Sequence, residues 1–109
     1  MESVLRALSD PRRREILRLV SERERSAGEI ASNFDITRPA ISQHLGVLKD
    51  AGLLTERREG TKRLYLARPE GLGEVQEFLD QFWGDNLERL KLAAEHEQRR
   101  RNARHRKRS

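Results

Sequence analysis

Arg38, Ser42, Gln43, Gly46 and Lys49 share one side of a helical repeat whose other side is Ile41, Leu45 and Leu48. That polar face has the chemistry of a base reader. An arginine can hold a guanine edge with two parallel hydrogen bonds, a glutamine an adenine edge, and a serine several edges. Thr37 and the first free N–H groups of the helix suit a phosphate. His44 lies within the same helix and is counted with the candidate DNA-contacting residues. A second set, Arg57, Arg58, Thr61, Lys62 and Arg63, surrounds Gly60 and suits backbone phosphates or the adjacent minor groove. Each set alone also fits a blander reading, a solvated helix face and a polar turn. Their succession along the chain is what points to double-stranded DNA.

The elements that must position these residues are legible from local signals. Ser26 precedes Glu29 by three residues, a capping box that opens a short helix with Ile30 and Ala31 turned inward. Phe34-Asp35-Ile36 reads as the turn. Thr37 is an N-cap, and Pro39 fits the first turn behind it. Gly52 ends the second helix. The stretch 53–58 reads as a strand, Glu59-Gly60 as a tight turn, and 62–66 as the return strand. Alternation of Leu64 and Leu66 with Arg63 and Tyr65 predicts that the two leucines face inward. A basic hairpin directly after a helix-turn-helix gives the fold class: mainly α with a small β-hairpin, a winged helix-turn-helix with a long C-terminal dimerisation helix.

Flanking segments complete the plan. Glu2 to Leu8 is amphipathic, and Asp10-Pro11 opens a helix to about Glu22 with Ile16, Leu17, Leu19 and Val20 buried. Arg12, Arg13 and Arg14 fall in its first turn, where the helix dipole disfavours cations, so acids or phosphates are expected to hold some of them, although a solvated basic turn next to Glu15 is the favoured reading for any one of them. After Arg68-Pro69 a last helix runs from about Glu70 to the tail, over ~35 Å. Phe78, Phe82 and Trp83, three of the five aromatic residues, lie on it. An apolar face that broad predicts a homodimer, with Val4, Leu5, Leu8, Leu72, Val75, Leu79, Phe82, Trp83, Leu87 and Leu90 at the interface. Folding back onto its own core is the alternative.

Of the 109 residues 35% are hydrophobic and 38% charged, a thin core for one copy. The net charge of +5 is misleading. Residues 99–109 hold seven of the 23 Lys and Arg and no acids, so 1–98 carry 16 bases against 18 acids. DNA affinity in the body must therefore come from local clustering. The expected division is a DNA-binding and dimerisation domain over 1–98 and a disordered Arg-rich tail over 99–109. With no cysteine, disulfides and thiolate metal sites are excluded. No metal site, cofactor or catalytic residue is expected: Glu95-His96-Glu97 reads as a solvated helix end, and no Gly-rich phosphate loop, carboxylate pair or Ser-His-Asp arrangement is evident. No apolar run spans a membrane and no signal-peptide core is present, so a cytoplasmic protein is expected.

The residues LRALSDPRRREILRLV (5–20), GEIASNFDITRPAISQHLGVLKDAGLL (28–54) and ERREGTKRLYLARPEGL (56–72) resemble the ArsR/SmtB family of bacterial winged-helix repressors. The resemblance implies a nucleoid-associated homodimer with its first and last helices at the interface. One recognition helix would enter each of two successive major grooves of a pseudo-palindromic operator, about 34 Å apart. It implies repression by promoter occlusion, with autorepression as one form. The chain departs from the family's metal sensors. Ser26 and Gly28 stand where the thiolates would be, and neither Asp80-Gln81-Phe82 nor Asp85-Asn86-Leu87 makes the D-x-H pair of the last helix. A metal-independent branch is implied, regulated by an unknown effector, by a partner protein, or by concentration alone through autorepression. The competing reading is a winged-helix protein-interaction module whose DNA affinity is non-specific and driven by the tail.

Overall fold

The computed structural model describes residues 1–108, without the side chains of Asp85, Leu87 and 104–108. Leu87, expected at the dimer interface, and His105 thus lie outside the described side chains. The elements are α1 (Glu2–Leu8), α2 (Pro11–Glu22), β1 (Arg25–Ser26), α3 (Ala27–Ala31), α4 (Arg38–Asp50), β2 (Leu54–Glu59), β3 (Lys62–Ala67), a 3-10 turn (Pro69–Leu72) and α5 (Gly73–Arg108). The chain falls into two compact units that divide after Val75. No described helix is long and apolar enough to cross a membrane.

In the first unit the helix ends sit where the sequence places them, because each is set by a local hydrogen bond. Asp10 accepts from the Arg12 amide at 2.7 Å. Ser26 and Glu29 cap each other, the Glu29 amide donating to Ser26 Oγ at 3.1 Å and the Ser26 amide to Glu29 Oε1 at 3.4 Å. Thr37 Oγ1 accepts from the Ala40 amide at 3.2 Å. Gly52, at φ +77, reverses the chain after α4, its amide donating to Lys49 O and that of Leu53 to Leu48 O. That pair of bonds is the Schellman arrangement, which needs a left-handed residue at this position.

The wing differs from expectation in three ways. Its turn is Gly60-Thr61, one residue later than predicted, with Glu59 paired to Lys62 across it. Gly60 has φ +63 and Thr61 has no positive φ, the type II′ pattern that suits a right-twisted hairpin. A third strand, β1, pairs Arg25 with Tyr65 and Ser26 with Leu64, giving the antiparallel order β1-β3-β2. Finally, Tyr65 is the buried residue of β3, while Leu66 is exposed and Leu64 half-buried. The predicted facing of the strand is reversed. Tyr65 joins Ile16, Val20, Ile30, Ile41, Leu45, Leu48 and Leu53 in the core, as the larger apolar body available to fill it.

Two further corrections concern α1 and α2. Val4 is buried in this same core, and Leu8, Leu72 and Val75 pack against it. Of the expected α1 interface residues only Leu5 stays exposed. Arg13 lies 3.8 Å from the Asp10 carboxylate, an acid partner as expected, but the shorter bonds of Arg13 and Arg14 go to backbone carbonyls. Arg13 donates through Nε to Ala7 O at 2.7 Å and through Nη2 to Arg6 O at 3.0 Å, and Arg14 donates to Leu8 O at 2.7 Å. These last carbonyls of α1 carry the negative end of its dipole and so answer the cations, Arg6 O while also accepting from the Ser9 amide and hydroxyl.

Gly71 shows why a glycine opens the passage to α5. A Cβ there would lie 2.2 Å from the carbonyl oxygen of Gly52. Backbone cannot yield as a flexible side chain would. Gly71→Ala is expected to lower stability by about 2 kcal/mol, as overpacking does, read as a lower melting temperature. An unchanged melting curve would show that the turn shifts freely.

In the second unit, Phe78 stacks on Phe82 at 5.8 Å between ring centres, and Phe82 meets Trp83 edge to face at 4.8 Å. Phe78, Leu79, Phe82, Trp83 and Leu90 are all more than one third exposed. The helix continues to Arg108, beyond the point near Gln98 where the sequence reading ends it. Glu97 lies 3.6 Å from both Arg100 and Arg101, spacings that favour a helix across this junction.

Candidate nucleic-acid interface

Thr37 and Pro39 fix where α4 begins, and that start fixes which side chains project. Ile41, Leu45 and Leu48 are buried, so Arg38, Ser42, Gln43 and Lys49 are exposed, as the spacing requires. The wing folds back beside the start of this helix. Arg38 and Ser42 from α4 and Thr61, Lys62 and Arg63 from the wing line one open, mainly polar cleft, together with Gly28 of α3. Gln43 and His44 line a different depression on the other flank of α4, with Arg13, Gly46 and Asp50.

His44 is half-buried, and Arg13 Nη1 lies 3.4 Å from its Nδ1. An arginine can only donate, so Nδ1 accepts and the neutral ring carries its proton on Nε2. Arg13 thereby ties the end of α1 to the middle of α4. His44 is part of the support of the recognition helix.

The cations are not equally free. Lys49 Nζ lies 3.2 Å from Glu56 and Arg63 Nε 3.8 Å from the same carboxylate. Arg57 donates to both oxygens of Glu24 at 2.7 and 2.6 Å, and to Glu59 at 3.2 Å. These hydrogen bonds from Arg57 hold the Glu24 carboxyl below the usual carboxylate range and raise the guanidinium in turn. The tether is therefore complete at neutral pH and is lost only as pH falls through that lowered range. Arg38, Arg58 and Lys62 have no carboxylate partner among the described residues. Four bases around the wing tip thus reduce to two unanswered ones. The sequence reading missed Glu24 and Glu56 as partners. Glu24 is 33 residues from Arg57, and no local pattern joins them. Among the described residues no cluster of three His, Cys, Asp or Glu could hold a metal ion.

The chain that carries this geometry is similar to known proteins in sequence and in overall fold. Residues 10–56 match the model of the bacterial regulatory protein arsR family. An HTH-type transcriptional regulator of Mycobacterium tuberculosis is 43% identical over 77 residues, covering 71% of this chain and 72% of the relative. The transcriptional repressor SdpR of Bacillus subtilis is 45% identical over 60 residues, covering 55% and 67%. The crystal structure of a possible transcriptional regulator for arsenical resistance superposes with a TM-score of 0.67 at 40% identity, covering 81% of this chain and 92% of that one. These relatives are regulators, not enzymes. The chain belongs to the arsR family of bacterial regulatory proteins, the winged helix-turn-helix DNA-binding regulators of transcription.

Proposed function

We propose that this regulator is a repressor that binds a pseudo-palindromic operator as a homodimer in the bacterial cytoplasm, with its own promoter among its targets. The observation that carries the reading is the cleft shared by Arg38, Ser42, Thr61, Lys62 and Arg63. It sets a base-reading arginine and a phosphate-binding wing side by side, the two functions that sequence recognition needs. Thr37 and the start of α4 take a phosphate, Arg38, Ser42 and Gln43 read base edges, and Arg58 and Lys62 hold the backbone. Lys49 and Arg63 reach DNA by sharing or leaving Glu56. Leu79, Phe82, Trp83, Leu87 and Leu90 of α5, joined by Leu5, form the interface between copies. The tail, 99–109, adds salt-sensitive affinity for any sequence. Relatives named as repressors support the sign of regulation.

Selection of bound DNA from a random pool tests the reading, with the full chain at ~150 mM salt to suppress non-specific binding. An inverted repeat with half-site centres about 34 Å apart is expected. Enrichment of no motif would overturn it and favour the interaction module.

Glu24 offers a second test. Glu24→Gln removes one carboxylate holding Arg57 and leaves the guanidinium available to a phosphate. Affinity for any duplex is expected to rise, and the slope of log affinity against log salt to steepen by about 1.8 for the dimer, about 0.9 for the one contact each copy adds. A titration across salt concentrations measures both. An unchanged slope would mean that Arg57 does not reach the backbone.

A further inference from the structure

One cavity of the first unit has no part in the DNA face. It encloses about 330 Å³, within the range of small-molecule sites. Leu8, Leu17, Leu53, Ala67, Pro69 and Leu72 supply its apolar lining. Three arginines also line it. Arg18 is answered by Glu15 and Glu22. Arg14 and Arg68 are not. Each makes one hydrogen bond, to a backbone carbonyl: Arg14 Nη1 to Leu8 O at 2.7 Å and Arg68 Nη1 to Gly52 O at 3.2 Å. Neither has a carboxylate partner among the described residues. The Nε and Nη2 edge of each guanidinium is still free to donate, and that edge holds a carboxylate with two parallel bonds. Both arginines are exposed, so a wholly apolar occupant would leave water as their only partner at the cavity rim. A small inorganic anion would leave the leucine walls wet.

We propose that this cavity binds a small amphipathic monocarboxylate, its apolar body against Leu17, Leu53 and Leu72 and its carboxylate on Arg14 and Arg68. The site is placed to act on the recognition helix. The Leu53 amide donates to Leu48 O of α4 at 3.0 Å, and Leu53 O accepts from the Arg68 amide at 2.8 Å. A ligand that moves Leu53 changes how α4 ends and where the wing begins. A ligand acts this way only through different affinities for the two arrangements. This consequence rests on the DNA-binding reading, whereas occupancy of the cavity does not.

The test is calorimetric titration of the full chain with decanoate, without DNA. Saturable binding of one decanoate per chain is expected. Decanol, which lacks the charge, is expected to bind at least roughly tenfold more weakly, the value of a lost charge-assisted hydrogen bond. Acetate, which keeps the carboxylate but lacks the chain, is expected to bind at least as much more weakly, because each buried CH2 of the chain contributes to binding. Arg14→Gln and Arg68→Gln are each expected to weaken decanoate by a similar factor. Because Arg68 also holds Gly52, Arg14→Gln keeps the test sound should the Arg68 variant unfold. Decanol binding as well as decanoate, or both arginine variants binding like the parent, would overturn the site. So would uptake abolished by Phe82→Ala, which would place the ligand on α5, or decanoate splitting a dimer, which would place a second copy over the cavity. Bound decanoate that leaves operator affinity unchanged would uphold the site and overturn its coupling to DNA.

Discussion

Replacing Arg38 and Gln43 together with alanine is expected to abolish sequence selectivity while leaving the fold and the oligomer intact. Both side chains are exposed, and neither makes a hydrogen bond within the described protein, so their loss opens no cavity. A good bidentate contact contributes roughly 1–3 kcal/mol of discrimination against a wrong base. Losing two per recognition helix therefore costs at least about 2 kcal/mol, roughly thirtyfold in specificity for each half-site. Affinity for random duplex should fall far less, because Arg58 and Lys62 keep their phosphates. Arg38→Lys separates the two roles of that residue. It preserves the charge and so the salt slope, but a point charge lacks the planar fork that reads guanine. A footprint competed with random DNA measures both quantities. An unchanged operator footprint from the double variant would remove α4 as the reader.

The contrast between Arg38 and Arg57 shows what a sequence can and cannot disclose. Arg38 was legible because everything that sets it is local: the Thr37 cap, Pro39, and the burial of Ile41 and Leu45 three and seven residues on. The same holds for Asp10, the Ser26–Glu29 box and Gly52, each a backbone group satisfied within a few residues. Arg57 looked equally basic and equally exposed. Its charge is answered by Glu24 across the sheet, a pairing that exists only once β1 lies against β3. Tyr65 was misplaced for a related reason. A short strand alternating leucine with arginine and tyrosine has two apolar faces on paper. Which one turns inward is decided by the third strand and by the space left between the helices. Arg13 and Arg14 make the point for helix ends. Their partners are backbone carbonyls of another helix, and no side-chain pattern reports those.

Val4 and Phe82 separate the residues that hold one copy together from those proposed to join two. Both stood in one expected interface. Val4 is 6% exposed and sits in the core of the first unit, so Val4→Ala is expected to lower the melting temperature and leave the dimer alone. Phe82 is 50% exposed between Phe78 and Trp83, and is absent from that core. Burying such a ring stabilises by about 1.5–3 kcal/mol, and in a two-fold interface each substitution acts twice. Phe82→Glu removes both rings and places two carboxylates in an apolar surface, where unpaired charge is costly. The expected result is a folded monomer by sedimentation at concentrations where the parent is a dimer. The larger effect should appear on DNA. A dimer holds its second half-site intramolecularly, an advantage of roughly 10²–10⁴ over one site alone. Operator affinity should fall by about that factor, although no DNA-facing residue has changed. A Phe82→Glu protein that still sediments as a dimer would place the interface elsewhere. A true monomer with full operator affinity would instead show that one recognition helix and one wing suffice.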